Sequence, residues 1–135
     1  MNRKVLVLAD DLFWRTKIDH AVKSAAGQVE FLAGPEDLAK ADPALTAVIL
    51  VDLSIRKEPF TAITALKKGS KTKQIPVIGY YEHVRKDLHQ KGKEAGCDET
   101  LSRSAFSEHL GELVMKYALP GGVRAESEEI DLPEE

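Results

Sequence analysis

Three aspartates stand where two strongly apolar runs end. Asp10 and Asp11 follow Val5-Leu-Val-Leu-Ala9, and Asp52 follows Ala47-Val-Ile-Leu-Val51. In an open parallel sheet, ligands sit beyond the carboxyl ends of the strands, so these acids stand where chemistry is expected. A shared acidic site is the functional reading. The local alternative is that each aspartate caps the helix or turn that follows it.

The elements that must position them read clearly from the apolar pattern. Residues 47–51 are five consecutive apolar residues, three of them β-branched, the signature of a strand buried on both faces. After Asp11 the pattern turns helical, with Phe13, Ile18, Ala21, Val22 and Ala25 on one stripe and Gly27 as the terminating residue. Val29–Leu32 alternates as an edge strand does, and Gly34-Pro35 leads into a short helix over Glu36–Ala41. Pro59 opens a third helix carrying Phe60, Ile63 and Leu66, and Ile75–Tyr81 is a fourth strand. A helix is predicted over Val84–Ala95, and a polar fifth strand over Glu99–Ser102. Ser104 is placed to cap a last helix with Phe106, Leu110, Leu113, Val114 and Tyr117 on one side. Strands alternating with helices predict an α/β flavodoxin-like (βα)5 sandwich with a parallel sheet. The most apolar strands belong at the centre, so the order is 2-1-3-4-5, with its switch point at the acids.

Composition sets the outer limits. The chain has 135 residues, 43% apolar and 30% charged, which suits one domain with a proper core. No apolar run reaches the roughly 20 residues that span a bilayer, and Met1-Asn-Arg-Lys4 leads straight into a strand, unlike a signal peptide. Cys97 is alone, which excludes an internal disulfide and suits a reducing cytoplasm. Its expected role is that of a semi-buried structural thiol. The net charge is −3, but residues 120–135 hold six acids against Arg124, leaving the preceding domain, residues 1–119, near neutral. That acidic, apolar-poor tail reads as disordered. Lys67, Lys68, Lys71 and Lys73 have no interleaved aromatics, so they predict a solvated loop and no nucleic-acid site. His20, His83, His89 and His109 lack metal-ligand spacing, no GxGxxG follows the first strand, and Trp14 is expected in the core.

Over residues 3–119 the chain resembles the receiver domain of two-component response regulators. The landmarks are Asp10-Asp11 after the first strand, Asp52 after the third, Ile75-Pro-Val-Ile78 and the Ala95-Gly-Cys-Asp98 turn. The resemblance implies that Asp52 is phosphorylated by a histidine kinase or phosphotransfer protein. It also implies Mg²⁺ held by Asp11, Asp52 and the Ser54 backbone carbonyl, with Asp10 in the outer shell or bound through water. A divalent cation offsets the repulsion between a phosphoryl group and a carboxylate, and Mg²⁺ takes a few oxygen ligands plus waters. The family's Ser/Thr after the fourth strand falls on Tyr81, and its Lys after the fifth falls on Arg103. A phenol reaches several ångströms further than a threonine hydroxyl, and arginine is not equivalent to lysine. In the family an aromatic residue on the fifth strand turns inward when the hydroxyl moves; here that strand offers Thr100. The resemblance therefore implies an atypical receiver with an altered relay.

Three functions stay open on these residues. The first is a stand-alone phosphorelay acceptor. The second is a pseudo-receiver that binds another signalling protein without being phosphorylated. The third is a small metal-dependent phosphohydrolase, which lacks an evident second acid or base. No enzyme activity, nucleic-acid partner or membrane contact is expected; a homodimer is left open.

Overall fold

The computed structural model describes residues 3–118; the acidic tail lies outside them. Five parallel strands form one sheet: β1 (Lys4–Leu8), β2 (Val29–Phe31), β3 (Thr46–Asp52), β4 (Val77–Tyr81) and β5 (Glu99–Ser102). Their order is β2-β1-β3-β4-β5, as the apolar pattern requires. Every residue of β3 is buried, because helices cover both faces of the sheet at its centre.

The helices are α1 (Leu12–Ser24), α2 (Phe60–Lys68), α3 (Lys86–Ala95) and α4 (Arg103–Ala118). On one face, α1 and α4 cover Val5, Val7, Val48, Leu50, Ile78 and Tyr80. On the other, α2 and α3 cover Leu6, Leu8, Ile49, Val51, Val77 and Tyr81. The sorting is the period-2 alternation of the strands made visible.

Several local expectations are corrected. The short helix expected over Glu36–Ala41 is a 3₁₀ segment, Pro35–Lys40. Seven residues between Pro35 and Pro43 are too few for a helix of several turns. In α1 the buried stripe is Trp14, Ile18 and Val22, and Phe13 is exposed. That helix ends with Ala26 in the left-handed region (φ 60°), one residue before Gly27. The helix expected from Val84 starts at Lys86, with Val84 exposed in the preceding turn. At α4 the cap is Ser102, whose Oγ accepts from Ala105 N–H at 3.2 Å; Ser104 lies inside the helix. The lysine loop is only partly solvated: Lys67 pairs with Asp98 at 2.7 Å and donates to the Ile75 carbonyl at 2.8 Å. Cys97 is partly buried, and burial pushes its thiol up to about 12, as an unreactive structural thiol requires. No helix among the described residues is long and apolar enough to cross a membrane.

Candidate functional site

Leu8 of β1 pairs in register with Val51 of β3, so the two strands finish level. The residues that follow, Asp10, Asp11 and Asp52, emerge at one end of the sheet. There the chain leaves β1 for β2 on one side and has β3 on the other, the switch point of an open α/β sheet.

Asp52 is the buried member, with 1% of its surface exposed. Its Oδ1 accepts the Ser54 N–H at 2.8 Å. Its Oδ2 lies 3.3 Å from Nη2 of Arg103, the first residue of α4. Burial raises the pKa of this carboxyl. The Ser54 bond and the Arg103 guanidinium pull it back without cancelling the rise, and the charge of Asp10 adds to it. Arg103 also reaches Glu82 Oε1 at 3.6 Å and lies 5.8 Å from the centre of the Trp14 ring.

Asp11 takes the local role that the sequence left open. It is the N-cap of α1, its Oδ1 accepting from Phe13 N–H at 2.8 Å and Trp14 N–H at 3.3 Å. Asp10 is exposed beside it. Among the described residues neither acid has an ion-pair partner, and no three His, Cys, Asp or Glu side chains converge on a metal-sized point. The donor chemistry nonetheless suits Mg²⁺. Asp10, Asp11, Asp52 and the Ser54 carbonyl are hard oxygen donors, and at this end of the sheet only Arg103 pairs with one of these acids. Gathering them on one ion needs Asp11 to share its cap carboxylate and Arg103 to give way at Asp52.

The two tyrosines at the end of β4 separate, as adjacent strand residues must. Tyr81 is 1% exposed and sits among the α2/α3 cluster, its ring edge-on to His89 with centroids 5.4 Å apart. Tyr80 is the register partner of Asp52 and belongs to the α1/α4 cluster. Its ring stacks on Phe106 at 4.2 Å and meets Trp14 at 5.3 Å. Sequence reasoning overlooked Tyr80 and Glu82. Strict alternation along β4, with Asp52 opposite, was the available signal. Thr100 is buried on β5, and His83 lies exposed in the loop after β4. A cavity of about 460 Å³ lies along the edge strand β2, beside Lys4, Phe31 and Leu45, and contains none of Asp10, Asp11 and Asp52.

No family model matches the chain. No curated relative matches it either. Solved structures do. The chemotaxis response regulator CheY4 of Vibrio cholerae is 26% identical with a TM-score of 0.70, covering 85% of this chain and 98% of its own. The receiver domain of the sensor histidine kinase PA1611 of Pseudomonas aeruginosa PAO1, solved with magnesium in its active-site cleft, has a TM-score of 0.73 at 14% identity. That alignment covers 87% of this chain and 98% of the other. The phosphorylated cyanobacterial phytochrome response regulator RcpA gives 0.71 at 16%, covering 93% and 100%. The fold is that of a response-regulator receiver domain. It is a signalling-receiver fold.

Proposed function

We propose that this protein is a phosphorelay receiver whose acceptor is Asp52, working with Mg²⁺ and reporting its state through an altered relay. The observation that carries this reading is a buried carboxylate at the end of the central strand, faced by one guanidinium and flanked by two exposed acids. In the reaction, an Asp52 carboxylate oxygen bonds to phosphorus as the bond to the donor nitrogen or oxygen breaks, leaving an acyl phosphate. Burial raises the carboxyl's proton affinity, and with it the basicity of the attacking oxygen. Arg103 is placed to follow the charge from Asp52 onto the phosphoryl oxygens. Asp10, Asp11, Asp52 and the Ser54 carbonyl would hold the ion. When bound, Mg²⁺ offsets the repulsion between phosphoryl and carboxylate. The partner is a histidine kinase or a phosphotransfer protein, and the chain acts as a signalling module, not an enzyme, in the cytoplasm.

The altered relay rests on packing behind the site. A Cβ on Gly79 would lie 2.9 Å from Leu53 Cδ1, and one on Gly92 would lie 2.8 Å from the same atom. Gly92 therefore brings α3 down onto Leu53 and Thr100, while Tyr81 fills the neighbouring space. Little room is left for a side chain to swing between sheet and α3.

A second reading, a pseudo-receiver that is not phosphorylated, is favoured by one observation: Arg103 already neutralises Asp52 while Asp11 is used as a cap. Intact mass after incubation with acetyl phosphate and Mg²⁺ separates the two. The first reading expects the mass of one phosphoryl group on the native chain and none on Asp52→Asn. No gain on the native chain supports the second.

A further inference from the structure

Two buried donors on residues that neighbour Asp52 have no acceptor among the described residues: the Tyr80 hydroxyl and Arg103 Nε. Such groups are rare in folded proteins because each forfeits its hydrogen bonds to water without replacement. Tyr80 has no exposed surface at all, so solvent does not satisfy it. Its ring is held by Phe106 stacked at 4.2 Å and 10° and by Trp14 at 5.3 Å, so the hydroxyl has little freedom to seek another partner. Phenylalanine would make the same ring contacts without the orphaned oxygen. A hydroxyl kept there at a cost needs an acceptor that arrives with a ligand.

The geometry says what kind of ligand. Tyr80 is the cross-strand neighbour of Asp52, and Arg103 Nη2 reaches the Asp52 carboxylate at 3.3 Å. The same Trp14 ring contacts both Tyr80 and Arg103, which ties the two donors into one cradle. We propose that Tyr80 Oη–H and Arg103 Nε–H form a donor pair for the oxygens of a tetrahedral oxyanion carried on Asp52, making Tyr80 a binding residue of the site. This rests on the phosphoacceptor reading and assigns that reading its missing hydroxyl. The hydroxyl comes from the residue before Tyr81, on the opposite face of the strand.

The test uses the full chain and Tyr80→Phe, with beryllofluoride plus Mg²⁺ as the probe and acetyl phosphate as the donor. In the free protein the variant should melt no lower than the native chain, because an orphaned hydroxyl has been removed. Its apparent affinity for beryllofluoride should fall about tenfold, the loss of roughly one charge-assisted hydrogen bond. In the native chain, the ¹³Cζ resonance of Tyr80, identified by its absence from the variant, should move on adding the probe. Unchanged affinity, or a resonance that stays still, overturns the role of Tyr80 while leaving Asp52 as acceptor. A lower melting temperature with unchanged affinity also overturns it, and makes the hydroxyl structural. If the native chain neither binds beryllofluoride nor gains phosphoryl mass, the phosphoacceptor reading fails and this inference falls with it.

Discussion

Arg103 meets Asp52 through a single arm, Nη2 to Oδ2 at 3.3 Å, while Nη1 leans toward Glu82 at 3.6 Å. Two parallel hydrogen bonds would make a tight fork. One arm, shared with a second acid, is a contact that a phosphoryl group can displace without breaking the fold. The ion pair therefore offsets the Asp52 charge in the resting site and remains exchangeable.

Removing the cation should expose the cost of the buried acid. Arg103→Ala is expected to lose roughly 1.5–3 kcal/mol at neutral pH, the usual scale for a hydrogen bond to a charged group. Combined with Asp52→Asn, most of that loss should vanish. Denaturant unfolding of the four proteins of the cycle measures it, and additive losses would mean that the two side chains do not interact.

The Asp52 carboxyl itself should make stability depend on pH. Its pKa is raised above the usual 3.8, with burial the leading cause, so the folded state penalises the ionised form. That penalty is complete above the folded-state pKa and is relieved as pH falls through it. Asp52→Asn should therefore melt higher than the native chain at pH 7, by roughly 3–5 °C per kcal/mol for a domain of this size. The gap should close as the pH is lowered toward 4. A gap that is constant with pH would assign the effect to packing.

Asp11 carries two separable roles. As the N-cap of α1 it accepts two backbone N–H groups, and Asp11→Ala should cost about 1 kcal/mol. Asp11→Asn should keep most of that stability, since asparagine caps equally well. Both variants should weaken the Mg²⁺-induced change in Trp14 fluorescence. Trp14 sits three residues further along the chain and is the only tryptophan.

Some of this was legible in the sequence, and the limits have physical causes. The continuous apolar runs before Asp10 and Asp52 fixed the central strands and the strand order, because only a doubly covered parallel sheet buries such runs. The same runs placed all three acids at one end. Side-chain commitments were not legible. Capping was one of two roles open to Asp11, but nothing in the spacing chooses it, or says that Arg103 lies across Asp52. Both depend on where helices start, and α4 starts at Arg103 because Ser102 caps it. Tyr81 was considered as the hydroxyl position from its distance beyond Pro76, whereas the pleat sends Tyr80, not Tyr81, to the face shared with Trp14.

The close fit behind β4 predicts a quiet α3. Gly79→Ala should cost about 1–3 kcal/mol, because its Cβ would lie 2.9–3.0 Å from three atoms of the Leu53 side chain. For the same reason, crystal structures with and without beryllofluoride should superpose over Lys86–Ala95 within coordinate error. Changes should be confined to residues 53–58 and 80–84. Displacement of that helix would show a working relay through Tyr81.

The central claim is that Asp52 accepts the phosphoryl group. Borohydride reduces an acyl phosphate to the alcohol, so treating the protein after acetyl phosphate and Mg²⁺ should convert one aspartate to homoserine. Peptide sequencing by mass spectrometry should find homoserine at position 52, dependent on Mg²⁺ and abolished by Asp52→Asn. Homoserine at position 10 or 11, or at no position under conditions that label a known receiver, would contradict the account.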